Sequence, residues 1–177
     1  GNSILMKFFF SKILLVVLFI GISNANENIK FIDINYIVNN SEAGKNLKNT
    51  IEKKSKKITS ELNDMGKKIE NKKSKIVSQK NILKNEEYEK LVRDYDEEVK
   101  KYNNIRKKRN EDFNKFRINS QKKIIELLNP IITTYLKERS VQILLQKEQM
   151  VFGDKKLDIT EQILKIFNNK HKKINLD

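Results

Sequence analysis

Residues 51–83 read IEKKSKKITSELNDMGKKIENKKSKIVSQKNIL, and the spacing of their few apolar side chains decides the fold. One seam position takes Ile51, Ile58 and Met65, and the other takes Leu62, Ile69, Ile76 and Leu83. Steps alternating between four and three residues put these side chains on one narrow helical stripe, the pattern of a coiled-coil seam. A second run carries Tyr88, Tyr95 and Tyr102 at one position and Val92 and Val99 at the other. Two such helices folded back on each other bury a stripe and little else. The middle of the chain, residues 45–139, therefore reads as a protruding arm.

The expected reversal is near 81–87, where Asn81, Asn85 and the following acids break the pattern. In the returning half the heptads place Arg106 and Arg109 at seam positions before Phe113 and Phe116 resume it. Ile124, Leu127, Leu128 and Ile131 then widen the apolar face, as expected where an arm enters a body. Pro130 is expected to bend the helix, because proline removes a hydrogen bond and crowds the preceding turn.

Outside the arm, Ile29–Ile34 predicts a first strand, with Asp33 or Asn35 capping a short helix through Val38. Val141–Leu145 and Gln149–Phe152 predict a second and a third strand. Asp158-Ile-Thr-Glu161 has the form of a capping box for a last helix with Ile159, Ile163, Leu164 and Phe167 on one face. Residues 26–44 and 140–169 would thus form one small body that fastens the arm at its base, and 170–177 a basic polar tail. The expected class is α+β, mostly α: a long antiparallel coiled-coil hairpin on a three-strand body. A body this small gains buried area by associating with copies of itself.

The chain has 177 residues, 34% charged, with a net charge of +14, one proline and no cysteine. The lack of cysteine removes disulfides, thiolate metal sites and cysteine nucleophiles. At the N-terminus Met6, Lys7 and Lys12 precede the apolar run Ile13–Ile20, and Ser23-Asn24-Ala25 supplies small residues. This has the anatomy of a secretory signal peptide cleaved after Ala25, with Gly1–Leu5 as a remnant ahead of it; the alternative is a retained anchor. Loss of residues 1–25 removes two lysines and no acids, leaving +12. An exported chain of that charge is drawn to anionic surfaces.

Little in the sequence suits catalysis. The single histidine, His171, sits among lysines and reads as solvated; Gly44-Lys45 lacks the glycines of a phosphate loop. Glu86, Glu87, Glu89, Asp94, Asp96, Glu97 and Glu98 are strung along a helix rather than gathered in a pocket. No catalytic residue, metal site or cofactor is expected. The charge distribution carries more information: residues 45–84 hold 13 lysines against four acids. Lys67, Lys68, Lys72, Lys73, Lys75, Lys80 and Lys84 lead to the tip as a candidate basic surface for an anionic or client partner. The same lysines are also what a thin helix in water needs. Phe113 and Phe116 either close the seam or turn one edge toward a cavity.

The chain resembles the Skp/OmpH family of periplasmic chaperones from Ile29 to about Asn168. The resemblance rests on Ile32-Asp-Ile-Asn-Tyr-Ile-Val38, Ser41-Glu-Ala-Gly-Lys45, Val141-Gln-Ile-Leu-Leu145, Met150-Val-Phe152 and Leu157-Asp-Ile-Thr-Glu-Gln-Ile-Leu164. It implies a periplasmic homotrimer whose three bodies join in a β-barrel-like hub, with arms enclosing a cavity for unfolded outer-membrane proteins, without ATP. It implies that Phe31, Ile32, Ile34, Ile143, Leu145, Val151 and Phe152 build the hub. Anionic lipid or lipopolysaccharide is a further implied partner; nucleic acid is not expected in that compartment. The competing readings are an envelope structural coiled coil and a basic nucleic-acid-binding protein.

Overall fold

The computed structural model describes residues 28–175; the expected signal peptide or anchor lies outside them. In chain order the elements are β1 (Ile29–Ile32), α1 (Ile34–Asn40), α2 (Glu42–Gln79), α3 (Asn85–Glu138), β2 (Ile143–Gln146) and α4 (Thr160–Lys170). Short 3-10 turns occupy Lys147–Gln149 and Lys155–Leu157. No helix among the described residues is long and apolar enough to cross a membrane.

The arm is the antiparallel pair α2 and α3, of 38 and 54 residues. At 1.5 Å per residue α2 is about 57 Å long. The heptad reading of α2 holds position by position: Ile51, Ile58, Leu62, Met65 and Ile69 are half-buried and Ile76 is buried. Ser55, Lys72 and Gln79 fill the remaining turns of the same stripe, also half-buried. The chain reverses at 80–84, where the amides of Ile82 and Leu83 both donate to the Gln79 carbonyl. Glu86 and Glu87 follow in the first turn of α3, where negative charge suits the positive end of the helix dipole.

The returning seam departs from strict heptads. Arg106 and Arg109 are exposed, and Ile105 is half-buried in their place. A guanidinium in a dry seam loses its hydration without a compensating partner, whereas a small local rotation brings Ile105 inward. Helical structure continues through Pro130. The Asn129 carbonyl there accepts from the Thr133 hydroxyl at 3.0 Å.

The base of the arm is fastened by residues far apart in sequence. β1 and β2 pair in parallel, Ile29 opposite Ile143 and Phe31 opposite Leu145. Asn28 sends its side-chain amide to the carbonyls of Arg139, at 2.8 Å, and Ser140, and its backbone carbonyl accepts from the Gln142 amide at 2.9 Å. Asp33 caps α1 by accepting from the Tyr36 amide. Ser41 is fully buried and serves two helices at once. Its amide closes α1 on the Ile37 carbonyl, and its hydroxyl accepts from Gly44 at 3.0 Å to cap α2. One apolar core then runs from β1 through α1 and the arm root into α4, with Ile32, Ile37, Leu47, Ile124, Leu128, Ile163 and Phe167 at its centre.

Three expectations for the body are corrected. Gln149–Phe152 is not a strand. Lys147–Gln149 turns instead, held by a Lys147–Asp33 ion pair at 3.5 Å and a hydrogen bond from Asn35 to Glu148, and the following residues find no ladder partner among the described residues. The sheet therefore has two strands rather than three. The Asp158 carboxylate accepts from the amide and hydroxyl of Thr160, not from the Glu161 amide as a capping box requires. The Thr160 hydroxyl in turn accepts from the Asp33 amide at 2.9 Å, tying the start of α4 to the end of β1. Finally, the tail is not simply solvated: Ile174 packs against the core cluster.

Candidate functional site

Two surfaces stand out, one along the arm and one on the body. On the arm, Lys67, Lys68, Lys73, Lys75, Lys80 and Lys84 are exposed, whereas Lys72 lies in the seam. The Lys72 ammonium crosses the hairpin to Glu98 at 2.6 Å, so its charge is compensated where it is partly desolvated. Lys68, Lys72 and Lys75 converge around Ile76 and Leu91, in a cleft of about 510 Å³ with a mainly apolar floor. Nearer the root, Ile58, Phe113 and Phe116 floor a second cleft of about 260 Å³ beneath Lys54 and Lys57. The Lys54 ammonium sits 4.6 Å from the centre of the Phe116 ring, and Arg109 reaches Glu61 at 3.6 Å. Phe113 and Phe116 close the seam, where each is half-buried, and each also lines this cleft.

These contacts establish a constant register between the helices, with residue 54 facing 116, 61 facing 109 and 72 facing 98. The seven selected lysines do not form one focused site. Lys72 is spent within the seam, and the six exposed ones make a cationic rim beside an apolar stripe, suited to weak, distributed contacts with an anionic or amphipathic chain. Arg106 adds to this rim over the Tyr102 ring, at 5.9 Å.

On the body, the seven residues expected to form the hub fall into two groups. Phe31 and Ile32 are buried inside the chain and Ile34 is half-buried against the core. Ile143 and Leu145 are exposed, and Val151 and Phe152 project fully, at 107% and 86% of their reference areas. Gly153 lets this loop lie close to the Phe31 ring, since a Cβ there would come within 2.8 Å of it. The patch adjoins β2, an edge strand with its second side unpaired. An open edge flanked by large apolar side chains is a surface built to be covered. The Tyr36 phenol is held above its ordinary pKa, chiefly by the neighbouring Glu161 carboxylate, then by desolvation and then by Asp33.

The model of the OmpH-like outer membrane protein family matches residues 28–167, which takes in both strands, the whole arm and most of α4. The chain belongs to the OmpH-like family. Among solved structures, it is similar to an OmpH-like protein from Caulobacter crescentus CB15, provisionally described as an outer membrane chaperone. The TM-score is 0.81 at 14% sequence identity, over 86% of this chain and 90% of that one. At that identity the likeness is one of fold: a family arm and body built from almost wholly different side chains. No curated protein matches the chain.

Sequence reasoning missed the two arm clefts and the tail contacts. The clefts had a signal, since any fixed register between α2 and α3 places Lys54 beside Phe116 once Lys72 is set opposite Glu98. The tail offered only a weak signal, Ile174 and Leu176 set among polar and charged residues.

Proposed function

We propose that the chain is an exported, non-enzymatic chaperone of the periplasm that holds unfolded outer-membrane proteins without ATP. Three copies would join through their bodies into a barrel-like hub and enclose the client between their arms. The observation that carries this reading is the uncovered apolar surface of the body, Ile143, Leu145, Val151 and Phe152 beside an open strand edge, at the foot of a long cationic arm. Family membership and the fold support it.

The arm suits a holdase rather than an enzyme. It offers two shallow clefts with apolar side chains at the floor and lysines at the rim, one near the reversal and one nearer the root. Unfolded barrel strands alternate apolar and polar residues, so many weak contacts can block strand-edge association without a defined pocket. The cationic rim favours acidic clients and is also compatible with anionic lipid or lipopolysaccharide.

The test is to mix the chain lacking residues 1–25 with a urea-unfolded outer-membrane barrel protein, recording native mass and light scattering together. A trimer that suppresses scattering in near-stoichiometric amounts, without nucleotide, is the expected result. A monomer that leaves aggregation unchanged overturns the proposal and favours a structural coiled coil. N-terminal mass analysis of the exported protein tests cleavage after Ala25.

A further inference from the structure

We propose that the groove at the root of the arm is a binding site for extended polypeptide, and that the chain's own residues 172–175 occupy it as a displaceable plug. The inference rests on the client-holding reading and specifies one surface that would take the client's backbone.

The tail leaves α4 at His171 and crosses both arm helices without regular structure of its own. On one side Asn46 of α2 donates its side-chain amide to the carbonyl of Lys172 at 3.3 Å. On the other, the Lys123 ammonium of α3 donates to the carbonyl of Asn175. Between them Ile174 packs against the core cluster. Lys173, Ile174 and Asn175 form one wall of a groove of about 420 Å³ whose other wall is Asn46, Asn49, Thr50 and Lys53, so the tail covers the groove without filling it. Both polar contacts go to main-chain carbonyls, which every residue possesses. The side chain that reaches the core is apolar and need not be isoleucine. Recognition of this kind selects a backbone with one apolar residue between two accessible carbonyls, and reads little else of the sequence.

The tail is also a poor occupant in one respect. It brings Lys172 and Lys173 toward a groove already flanked by Lys53 and Lys123, so like charges oppose its docking. It stays because it is tethered and so present at high effective concentration. An incoming extended segment that alternates apolar with acidic residues presents the same carbonyls and converts that repulsion into attraction. Such a segment can exchange with the tail, whereas a basic one cannot.

Displacing a tethered competitor has a measurable signature: apparent affinity falls in proportion to the fraction of sites left open. One half-buried isoleucine and two exposed hydrogen bonds favour the docked tail by about tenfold, equivalent to about 1.4 kcal/mol. The experiment measures anisotropy of a fluorescent ten-residue peptide alternating valine and aspartate. It is added to the chain lacking residues 1–25, to its Ile174→Lys variant, and to a version ending at His171. Circular dichroism of each confirms unchanged helix content. Both variants are expected to bind the peptide about tenfold tighter, and Asn46→Ala with Lys123→Ala in the shortened chain should abolish that gain. A valine–lysine peptide should show no comparable gain. Unchanged affinity on removal of the tail overturns the proposal, as does a gain that survives loss of Asn46 and Lys123. Parallel light scattering separates this from the broader reading. Tail-dependent peptide exchange in a chain that fails to suppress aggregation upholds the groove and refutes the chaperone. Full suppression with no tail effect on peptide affinity refutes the plug alone.

Discussion

Gly44→Ala should destabilise the protein strongly, while the same substitution at Gly66 should stabilise it. Both glycines lie in α2, where alanine is the better helix former by about 1 kcal/mol, so propensity alone predicts a gain at each. At Gly44 a Cβ would fall 1.6 Å from the Val38 carbonyl oxygen and 2.8 Å from its carbon. Backbone cannot swing aside as a side chain can, so the corner between α1 and α2 would have to open by roughly 1.5 Å to restore ordinary contact. Opening it weakens the Ser41 cap on the Gly44 amide, worth about 1 kcal/mol. It also disturbs the packing of Ile37 and Val38, at about 1–3 kcal/mol for a well-packed core. Set against the propensity gain, the net loss is about 1–3 kcal/mol, or about 2–12 °C in Tm for a chain of this size. At Gly66 the Cβ would meet only the Tyr102 hydroxyl, at an ordinary 3.6 Å. There the gain should survive, raising Tm by about 1–4 °C. Thermal melts followed by circular dichroism at one fixed subunit concentration would measure both, since oligomerisation makes Tm concentration-dependent. Equal shifts of the same sign would refute the claim that α1 and α2 touch backbone to backbone at this corner.

Phe167→Ala should cost about 3–5 kcal/mol in a denaturant titration, because Phe167 is fully buried where α4 meets the arm root. A double-mutant cycle on Lys72 and Glu98 should give a coupling of about 0.5–1 kcal/mol in stability measurements, modest because Glu98 is half exposed; zero coupling would place the two apart. Ser140→Gly should stabilise by about 0.5–1 kcal/mol on chemical unfolding, since Ser140 holds a left-handed φ of 50° just after α3. Capture of an acidic unfolded client, followed by stopped-flow fluorescence, should slow as salt rises from 50 to 500 mM, values chosen to shrink the Debye length severalfold. Salt-independent capture would remove the cationic rim from the mechanism.

The arm was legible because a coiled-coil seam is written locally. Each residue's side follows from its place in a seven-residue period, so Ile51 to Ile76 face inward with little help from the rest of the molecule. The reading failed where local pattern met an energetic cost it does not contain. Heptad arithmetic puts Arg106 inside, but the expense of drying a guanidinium turns Ile105 in instead. The body was legible only in part. A capping aspartate at 158 announces a helix, yet which amide it takes depends on Thr160, whose hydroxyl is engaged by Asp33 more than a hundred residues away. Gln149–Phe152 has strand composition, but a strand needs a partner, and among the described residues no neighbouring strand pairs with it. That failure is informative, since composition suited to pairing is retained where the isolated chain leaves Val151 and Phe152 in water.

These features divide the molecule into a firm end and a loose one. Among the described arm residues, full burial of apolar side chains in α2 is found at Ala43, Leu47 and Ile76, and in α3 it is concentrated between Ile124 and Tyr135. Most of the seam between is half-buried, so each turn gains little from its partner while adding another exposed row of charges. Local opening should therefore cost least toward the reversal and most at the root, where Ser41, Gly44 and Phe167 tie three helices together. A holding surface benefits from that gradient. On the proposed reading, distal segments would part or shift to follow an irregular client at small cost, while the base would hold copies of the body in register. The charges serve the same division: they flank one narrow apolar seam and leave a cationic rim open to solvent along the arm.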